Sequence, residues 1–351
     1  MSLLEVSDLR TYFYTEAGIV RAVDGVDFEV EAGESLGLVG ESGAGKSVTV
    51  KSLLGLIDVP GKVVDGEIYF DGQALHEMSE QELRQNVRGS DISFVFQDPM
   101  SALNPVHTVG SQIAEVVEYH TDRTEAEAWE RAVTLLDDVG IPDAEQRADQ
   151  YPHEFSGGMR QRVLIAMALS CDPKLIIADE PTTALDVTIQ AQIIELFEEI
   201  QEKYGTAIVY VTHDLGVVRE VCDRVAVMYL GKIVESAPYD ELYQDPHHPY
   251  TQMLMRSVVT PDRDVSELEP IQGTMPSAVD PPSGCRFRTR CPREFDECGR
   301  YEPPRIQVGE NHDSACLLHD EQFEREEPAL HLDSGAAETD STSGSRGAYD
   351  E

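Results

Sequence analysis

Two glycine-rich loops, each followed by a segment with helical character, are the parts of this chain best suited to chemistry. The first, LVGESGAGKS at residues 38–47, fits the pattern G-x-x-x-x-G-K-[ST] without exception. Glycines let backbone N–H groups close around phosphates, and the N-terminus of a helix favours negative charge. This segment therefore predicts a nucleotide site. The residues expected to bind ATP and Mg²⁺ there are Gly40, Glu41, Ser42, Gly43, Ala44, Gly45, Lys46, Ser47 and Val48.

An acidic motif further along predicts the metal-binding and water-activating groups. In KLIIADEPTTALD, the apolar run 175–178 predicts a buried strand that ends in Asp179 and Glu180. Lys46 should reach the β- and γ-phosphates, and the Ser47 hydroxyl should coordinate Mg²⁺. Asp179 can hold this ion through water, and Glu180 can act as the general base. Taken alone, the motif could be a solvated strand end, but beside a phosphate loop it favours catalysis.

The second glycine-rich loop lies in EFSGGMRQRVLIAMAL, residues 154–169, where Ser156, Gly157 and Gly158 precede a predicted helix at 160–170. Backbone N–H groups at that helix N-terminus can bind an anion. A tight turn capped by the serine is the plainer alternative. Because the chain already has one phosphate loop, we interpret the second as binding the γ-phosphate of a nucleotide held by another subunit.

These motifs resemble the ATP-binding cassette (ABC) ATPase family over about residues 1–240, in the family's order. The matching elements are Gly40–Ser47 for Walker A, Gln97 in FVFQDP for the Q-loop, Ser156–Met159 for the signature, Asp179-Glu180 for Walker B, Ala184-Leu185-Asp186 for the D-loop and His213 in VYVTHD for the switch histidine. The resemblance implies a P-loop α/β cassette with a RecA-like core, an antiparallel β subdomain and a helical subdomain.

The resemblance also implies how two cassettes share each nucleotide. Paired head-to-tail, one subunit's Walker A and the other's signature would enclose each ATP. The residues expected to contact ATP in trans are Ser156, Gly157, Gly158 and Asp186. Glu180, His213 and Gln97 would be catalytic, and Phe13 would stack on adenine. The family's usual LSGGQ reads FSGGM here, with Met159 in place of glutamine.

Further segments resemble one branch of the family, the ATPases of oligopeptide, dipeptide and nickel importers. They are FQDPMSALNP at 96–105, HHPYTQMLM at 247–255 and PPSGCRFRTRCP at 281–292. This resemblance implies two transmembrane permease subunits, a second, paralogous ATPase subunit that forms a heterodimer with this chain, and indirectly an extracellular solute-binding protein. It places the chain peripherally on the cytoplasmic side of the cell membrane.

Four of the six cysteines form a late cluster with spacing C-x5-C-x6-C-x17-C, namely Cys285, Cys291, Cys298 and Cys316. Two disulfides, structural zinc, an iron–sulfur cluster and no metal are the alternatives. The importer extension resembles domains that carry a [4Fe–4S] cluster, which favours that ligand over Zn²⁺. The other two, Cys171 and Cys222, are expected to be buried small hydrophobic side chains.

The net charge of −39, from 66 acidic and 27 basic residues, argues against a nucleic-acid partner, since such a surface repels phosphates. The acids are spread along the chain, a composition that resembles halophilic archaeal proteins. We find no apolar run of about 18 residues and no segment typical of a secretory signal. The chain is therefore expected not to span a membrane.

The pattern of apolar runs predicts strands at 22–30, 34–39, 66–71, 91–96, 174–178, 206–211, 223–229 and 232–236. It predicts helices at 46–56, 187–203 and 215–222, and an almost wholly helical stretch at 108–170 with turns near 140–142 and 151–152. The expected domains are a cassette at 1–240 with its helical subdomain at about 100–170, an extension at 241–318 bearing the small Cys-rich module, and an acidic disordered tail at 319–351.

The sequence therefore predicts an ATPase that powers import of peptides or related small solutes such as nickel. One alternative is a soluble ABC ATPase that acts on DNA or ribosomes, but tandem cassettes, a coiled-coil insert and basic patches are not evident in the sequence. A scaffold with a dead nucleotide site is disfavoured because Lys46, Ser47, Asp179, Glu180 and His213 are all present.

Overall fold

A computed structural model describes residues 2–183, 185–257 and 271–323 of the chain. Over these residues the strands are β1 Ser2–Thr15, β2 Gly18–Glu31, β3 Ser35–Val39, β4 Gly61–Phe70, β5 Gln73–Ala74, β6 Ile92–Val95, β7 Leu175–Asp179, β8 Ala207–Thr212, β9 Arg224–Tyr229, β10 Lys232–Pro238, β11 Ile306–Gly309 and β12 His312–Ser314. The α-helices are α1 Lys46–Leu53, α2 Glu80–Asn86, α3 Pro99–Ala102, α4 Val109–His120, α5 Glu125–Asp138, α6 Ala144–Ala148, α7 Gly157–Ala168, α8 Val187–Tyr204, α9 Leu215–Val221, α10 Tyr239–Gln244 and α11 Pro249–Arg256.

The strands form two sheets. The larger has the order β11-β12-β10-β9-β3-β8-β7-β6 within the described residues. Its β6, β7, β8, β3 and β9 run parallel, whereas β10, β12 and β11 continue the sheet antiparallel. Every residue of β3, β7 and β8 is buried, as expected for parallel strands covered on both faces. The smaller sheet, β2-β1-β4-β5, is antiparallel, so the mixed architecture predicted from the sequence is confirmed.

The helical subdomain is built from helices with strong local start signals. Thr124 begins α5 with a capping box, in which its hydroxyl accepts from the Glu127 N–H and the Glu127 carboxylate accepts from Thr124. Thr108 caps α4, and Ser156 caps α7. The predicted turns near 140–142 and 151–152 are both present. The helical stretch predicted from residue 108 is therefore confirmed, with breaks between its members.

Strands β1, β5, β11 and β12 are absent from the sequence prediction. In β1 the alternation of apolar residues is interrupted by register shifts, one of them at Asp8, whose φ is +47°. Such bulges shift which side chains face the core and hide the period-2 pattern. The short β12 follows no apolar pattern either, yet its Ser314 pairs with Glu235 of β10. The extension therefore adds strands to the cassette's own sheet.

A buried carboxylate fastens this extension to the cassette. Glu235 of β10 is 0% exposed, and its oxygens accept the backbone N–H groups of His247 and His248 at 2.6 and 3.0 Å. Nε2 of His312, on β12, lies 2.8 Å from the same carboxylate. Although burial opposes ionisation, these hydrogen bonds outweigh it and lower the pKa of Glu235. The junction is thus built around an ionised, fully bonded group.

His248→Asn should reduce the loss of stability in acid. Burial lowers the pKa of His248 to about 4 from a reference value of 6.5, so the unfolded chain takes up a proton first. Stability is then lost as pH falls from 6.5 towards 4, by about 3 kcal/mol at about 1.4 kcal/mol per pKa unit. His248 also caps α11, which asparagine can still do. Urea unfolding at pH 7 and 4.5 should show a smaller difference for the variant, because the contribution of His248 is then absent. An equal difference would contradict this assignment.

Among the described helices, none is long and apolar enough to cross a bilayer.

Candidate active site

The first glycine-rich loop connects the end of β3 to the start of α1 and needs glycine at two positions. Gly40 has φ +152°, and a Cβ there would lie 2.2 Å from the Met228 carbonyl oxygen. Gly45 has φ +109°, and its Cβ would lie 2.3 Å from the Ala22 carbonyl oxygen. Side chains at either position would strain the backbone and clash with it. The loop is therefore held close to β9 and β2, in the shape the motif requires.

Lys46 is the first residue of α1, and its amino group already lies within the loop. The residue is 5% exposed, and Nζ donates to the Gly40 carbonyl at 2.9 Å and the Glu41 carbonyl at 3.2 Å. Burial lowers the pKa of Lys46, while the nearby Glu180, Asp179 and Glu41 oppose that shift. A buried ammonium bonded to neutral carbonyls fits an arriving phosphate, which would give it a charged partner.

A hydroxyl and a carboxylate meet beside this lysine as a pair suited to Mg²⁺. Ser47 Oγ donates to Asp179 Oδ1 at 2.7 Å. Burial raises the pKa of Asp179, although the bond from Ser47 opposes the shift. Oxygen ligands of this kind are those Mg²⁺ prefers, and one or two protein ligands suffice beside phosphate. The glycine cradle, the buried lysine and this pair together fit a magnesium–nucleotide complex.

Glu180 is held by three side chains from different parts of the chain. Its carboxylate accepts hydrogen bonds from Gln97 Nε2 at 3.0 Å and Thr183 Oγ1 at 2.9 Å, and His213 Nδ1 lies 3.3 Å from Oε1. Glu180 also has φ +48°, an uncommon conformation for a non-glycine residue. Such strain is concentrated at functional sites, where surrounding contacts maintain it. This geometry suits a carboxylate that must be held in one orientation.

The topology explains why residues distant in sequence meet here. Gln97 follows β6, Asp179 ends β7, His213 follows β8, and the phosphate loop follows β3. These strands are parallel neighbours, so their carboxyl ends share one edge of the sheet. Ligands of open α/β sheets bind at that edge. The structure therefore brings together the nucleotide and catalytic residues predicted on these four segments.

The second glycine-rich loop forms no part of this cluster. Ser156 is exposed and caps α7, accepting the Met159 N–H at 3.4 Å. Gly158 must remain small, since a Cβ would lie 2.5 Å from Ile189 Cγ2. Within the described residues, no hydrogen bond or ion pair joins residues 156–158 to 40–47. The N-terminus of α7 is therefore exposed and could bind an anion that comes from outside this chain.

Comparison with known proteins decides the family. A family model described as "ABC transporter" matches residues 23–183, and one described as "Oligopeptide/dipeptide transporter, C-terminal region" matches 234–298. The chain is 48% identical to "Oligopeptide transport ATP-binding protein AppD" of Bacillus subtilis (strain 168), over 92% of this chain and 98% of that protein. It is 46% identical to "Dipeptide transport ATP-binding protein DppD" of Escherichia coli (strain K12), over 90% and 96%.

The chain belongs to the ATP-binding subunits of oligopeptide and dipeptide ABC transporters. It is an ATPase of the ABC type. Among solved structures it resembles the "Dimeric structure of a post-hydrolysis state of the ATP-binding cassette MJ0796 bound to ADP and Pi", at 28% identity and TM-score 0.60, over 67% of this chain and 98% of the other.

Several residues predicted for this ABC ATPase site have structural roles in the single chain. Asp186 caps α8 by accepting the Ile189 N–H at 3.0 Å, and it is exposed. Phe13, on β1, is half-buried, and its ring faces Gly61 of β4, where a Cβ would lie 2.6 Å from the ring. Met159 packs half-buried against the main core. Ala184 of the D-loop and residues 324–351 of the predicted tail lie outside the described residues.

The four late cysteines of the ABC ATPase are near one another but not arranged as metal ligands. Cys316 is close enough to the other three for their charges to raise its pKa, although burial is the larger cause. Backbone N–H groups reach each sulfur of the cluster. Over the described parts of the chain, no group of three or more His, Cys, Asp or Glu residues could hold a metal ion as placed. All six cysteines are free; Cys222 is buried as expected, whereas Cys171 is half-buried.

Sequence reasoning missed three residues that touch the nucleotide site. Thr183 could have been found, because it lies three residues after Glu180 in the same motif. Tyr250 and Arg290, in contrast, contact Glu41 of the phosphate loop from more than 200 positions away in the chain. No local pattern links residues so far apart, and the fold alone reveals them.

Proposed function

We propose that this ATPase powers an importer of oligopeptides, dipeptides or related small solutes such as nickel, by ATP-driven closure of two paired cassettes. The observation that carries the proposal is the match of residues 234–298 to the C-terminal region of oligopeptide and dipeptide transporters, beside an intact catalytic cluster. A soluble ABC ATPase without transport is the alternative.

The residues divide the work of hydrolysis among themselves. When bound, ATP would supply the phosphoryl group for transfer to water, and Mg²⁺ would neutralise the charge that develops. Lys46 and the loop N–H groups would bind the phosphates, while Ser47 and Asp179 would hold the metal. Glu180 would take a proton from the attacking water at its carboxylate. Gln97 and His213 orient that carboxylate. Because both contact Glu180, each would respond to a γ-phosphate bound beside it.

Permease contact at the membrane is supported by an apolar patch beside the catalytic cluster. Phe96, Met100 and Val106 are 43%, 62% and 72% exposed; Phe96 precedes Gln97, Met100 lies on α3 and Val106 follows that helix. Large apolar side chains exposed together mark interaction surfaces. We propose that this patch contacts a transmembrane subunit at the cytoplasmic side of the membrane. A second, paralogous ATPase subunit and an extracellular solute-binding protein complete the proposed assembly.

Reconstitution tests the transport role directly. Vesicles containing the ATPase pair and two permease subunits, supplied with the solute-binding protein, should accumulate labelled peptide only with ATP and Mg²⁺. Replacing Met100 and Val106 together by serine should uncouple ATP turnover from uptake. Steady ATP turnover without accumulation of di- or oligopeptides or nickel would favour the soluble alternative.

We also propose a [4Fe–4S] cluster on Cys285, Cys291, Cys298 and Cys316, with Zn²⁺ as the alternative ligand. The convergence of four thiols that accept backbone N–H bonds supports it, since such bonds tune thiolate clusters. The sulfurs would have to rearrange on binding, because their present placement does not form a metal site. Protein purified anaerobically should show visible absorption at about 400 nm. A colourless sample containing zinc would contradict the iron assignment.

The acidic surface supports a halophilic archaeal origin as a separate proposal. The net charge of −39 comes from acids spread along the chain, which keep a protein hydrated and soluble in concentrated salt. Unfolding measured from about 0.1 M to about 3 M KCl should show stability rising with salt, because self-repulsion is screened. Falling stability across that range would contradict the proposal.

A further inference from the structure

The C-terminal extension reaches into the phosphate loop through one arginine. Arg290 Nη1 lies 3.1 Å from both carboxylate oxygens of Glu41, the second residue of the loop. The arginine side chain is only 5% exposed and that of the glutamate 27%. A largely buried ion pair is costly to break, since the remaining charge is left without a partner.

A buried tyrosine from the same part of the chain fixes the backbone at that position. The Glu41 N–H donates to Tyr250 Oη at 2.9 Å, and Tyr250, on α11, is 0% exposed. The Glu41 carbonyl accepts from Lys46 at 3.2 Å. The N–H, the carbonyl and the side chain of Glu41 are thus all held, two of them by residues beyond the cassette.

The arginine itself is well anchored. Its Nε donates to the Gln272 carbonyl at 3.0 Å, and its guanidinium lies 5.8 Å from the centre of the Tyr229 ring. Tyr229 packs against Tyr250 and Phe287, with ring centres 4.7 and 5.2 Å away. Arg290 is therefore presented to the loop from a packed aromatic cluster and has little freedom to turn away.

We propose that Arg290 and Tyr250 are positioning residues for the phosphate loop, through which the C-terminal extension sets the affinity for ATP. Glu41 places a negative charge within an anion-binding loop, where it would repel phosphates if left unpaired. Arg290 neutralises that charge, and Tyr250 keeps the backbone of Glu41 in place beside Lys46. The inference rests on the ATP-binding role of the family and is independent of the transported solute.

The test is calorimetric titration of the full chain with magnesium–ATP. Arg290→Met should weaken binding about tenfold, equivalent to about 1.4 kcal/mol, because the Glu41 carboxylate then repels the phosphates. Adding Glu41→Gln to that variant should restore most of the affinity, since the repelling charge is gone. Arg290→Lys, which keeps the charge, should fall between parent and Arg290→Met. Arg288→Met is the matched control, because Arg288 lies in the same 3₁₀ turn, Arg288–Arg290, but bonds the Ser283 carbonyl and pairs with Glu294 instead.

Rescue separates positioning from mere loss of fold. If Arg290→Met weakens binding and Glu41→Gln restores nothing, the arginine is only structural and the proposal is wrong. Unchanged affinity in Arg290→Met would overturn it equally. Should Arg290→Met fail to fold, Tyr250→Phe removes a single hydroxyl and keeps the aromatic packing; it should weaken binding a few-fold, and parental affinity would overturn the proposal. Absence of ATP binding by the parent chain would instead contradict the ATP site itself.

Discussion

Glu180→Gln should abolish ATP turnover while leaving ATP binding intact. Glutamine keeps the volume of the side chain and can still bond Gln97, Thr183 and His213, but it cannot accept a proton from water. Loss of a general base costs about 10²- to 10⁴-fold in rate. The rate of phosphate release by the assembled ATPase should decrease by a factor within that range, while the Kd for magnesium–ATP should change less than about threefold.

Glu202→Gln provides the matched control for this substitution. Glu202 is exposed on α8 and has no contact with the catalytic cluster. Its loss should leave turnover at the parental rate. Parental turnover in Glu180→Gln would show that another group activates water, and the carboxylate held by three side chains would then need a different role.

Ser156→Arg should stop hydrolysis without affecting ATP binding by a single chain. Ser156 is exposed and lies in a loop with no bond to the phosphate loop of its own chain. A bulky side chain there would obstruct only a second cassette whose nucleotide docks on α7. We expect turnover to fall about a hundredfold or more, because composite sites lose the transition-state contacts of the missing half.

Ser156→Asn, which can still cap α7 and is much smaller than arginine, should reduce turnover less than Ser156→Arg does. Sedimentation should show that ATP pairs the parent cassettes when hydrolysis is blocked by Glu180→Gln, and that the added arginine prevents pairing. An arginine variant that hydrolyses ATP at the parental rate, or a parent that does so as a monomer, would contradict the shared site.

The sequence predicted the catalytic cluster because each member lies at a recognisable strand end. Gln97, Asp179, Glu180 and His213 all follow apolar runs, and parallel strands gather their carboxyl ends at one edge. The three bonds that aim Glu180 could not be predicted, since they depend on side-chain conformations set by packing. Trans contacts of Ser156 and Asp186 stay predictions, because a partner cassette would supply the other half.

Elements without a clean pattern were hidden from the sequence. β1 was missed because its bulges break the alternation, and β12 because three residues are too few to show a period. The Cys-rich segment looked separate from the cassette, but its Arg286 pairs with the buried Asp24 of β2 and its Arg290 with Glu41. Such links have no local signature, since each joins residues more than 240 positions apart.

The pairing of β12 with β10 has a consequence for any shortened form of this protein. Chains cut soon after Pro238 would keep the nucleotide cluster but expose the edge of β10 that faces β12, where the backbone groups paired with the extension would lose their partners. An unpaired edge strand can pair with other chains and so promote aggregation. Removing the extension would therefore put solubility at risk as well as removing the contacts to Glu41, and poor yields of trimmed versions would reflect the uncovered strand together with the loss of Tyr250 and Phe287 from the core.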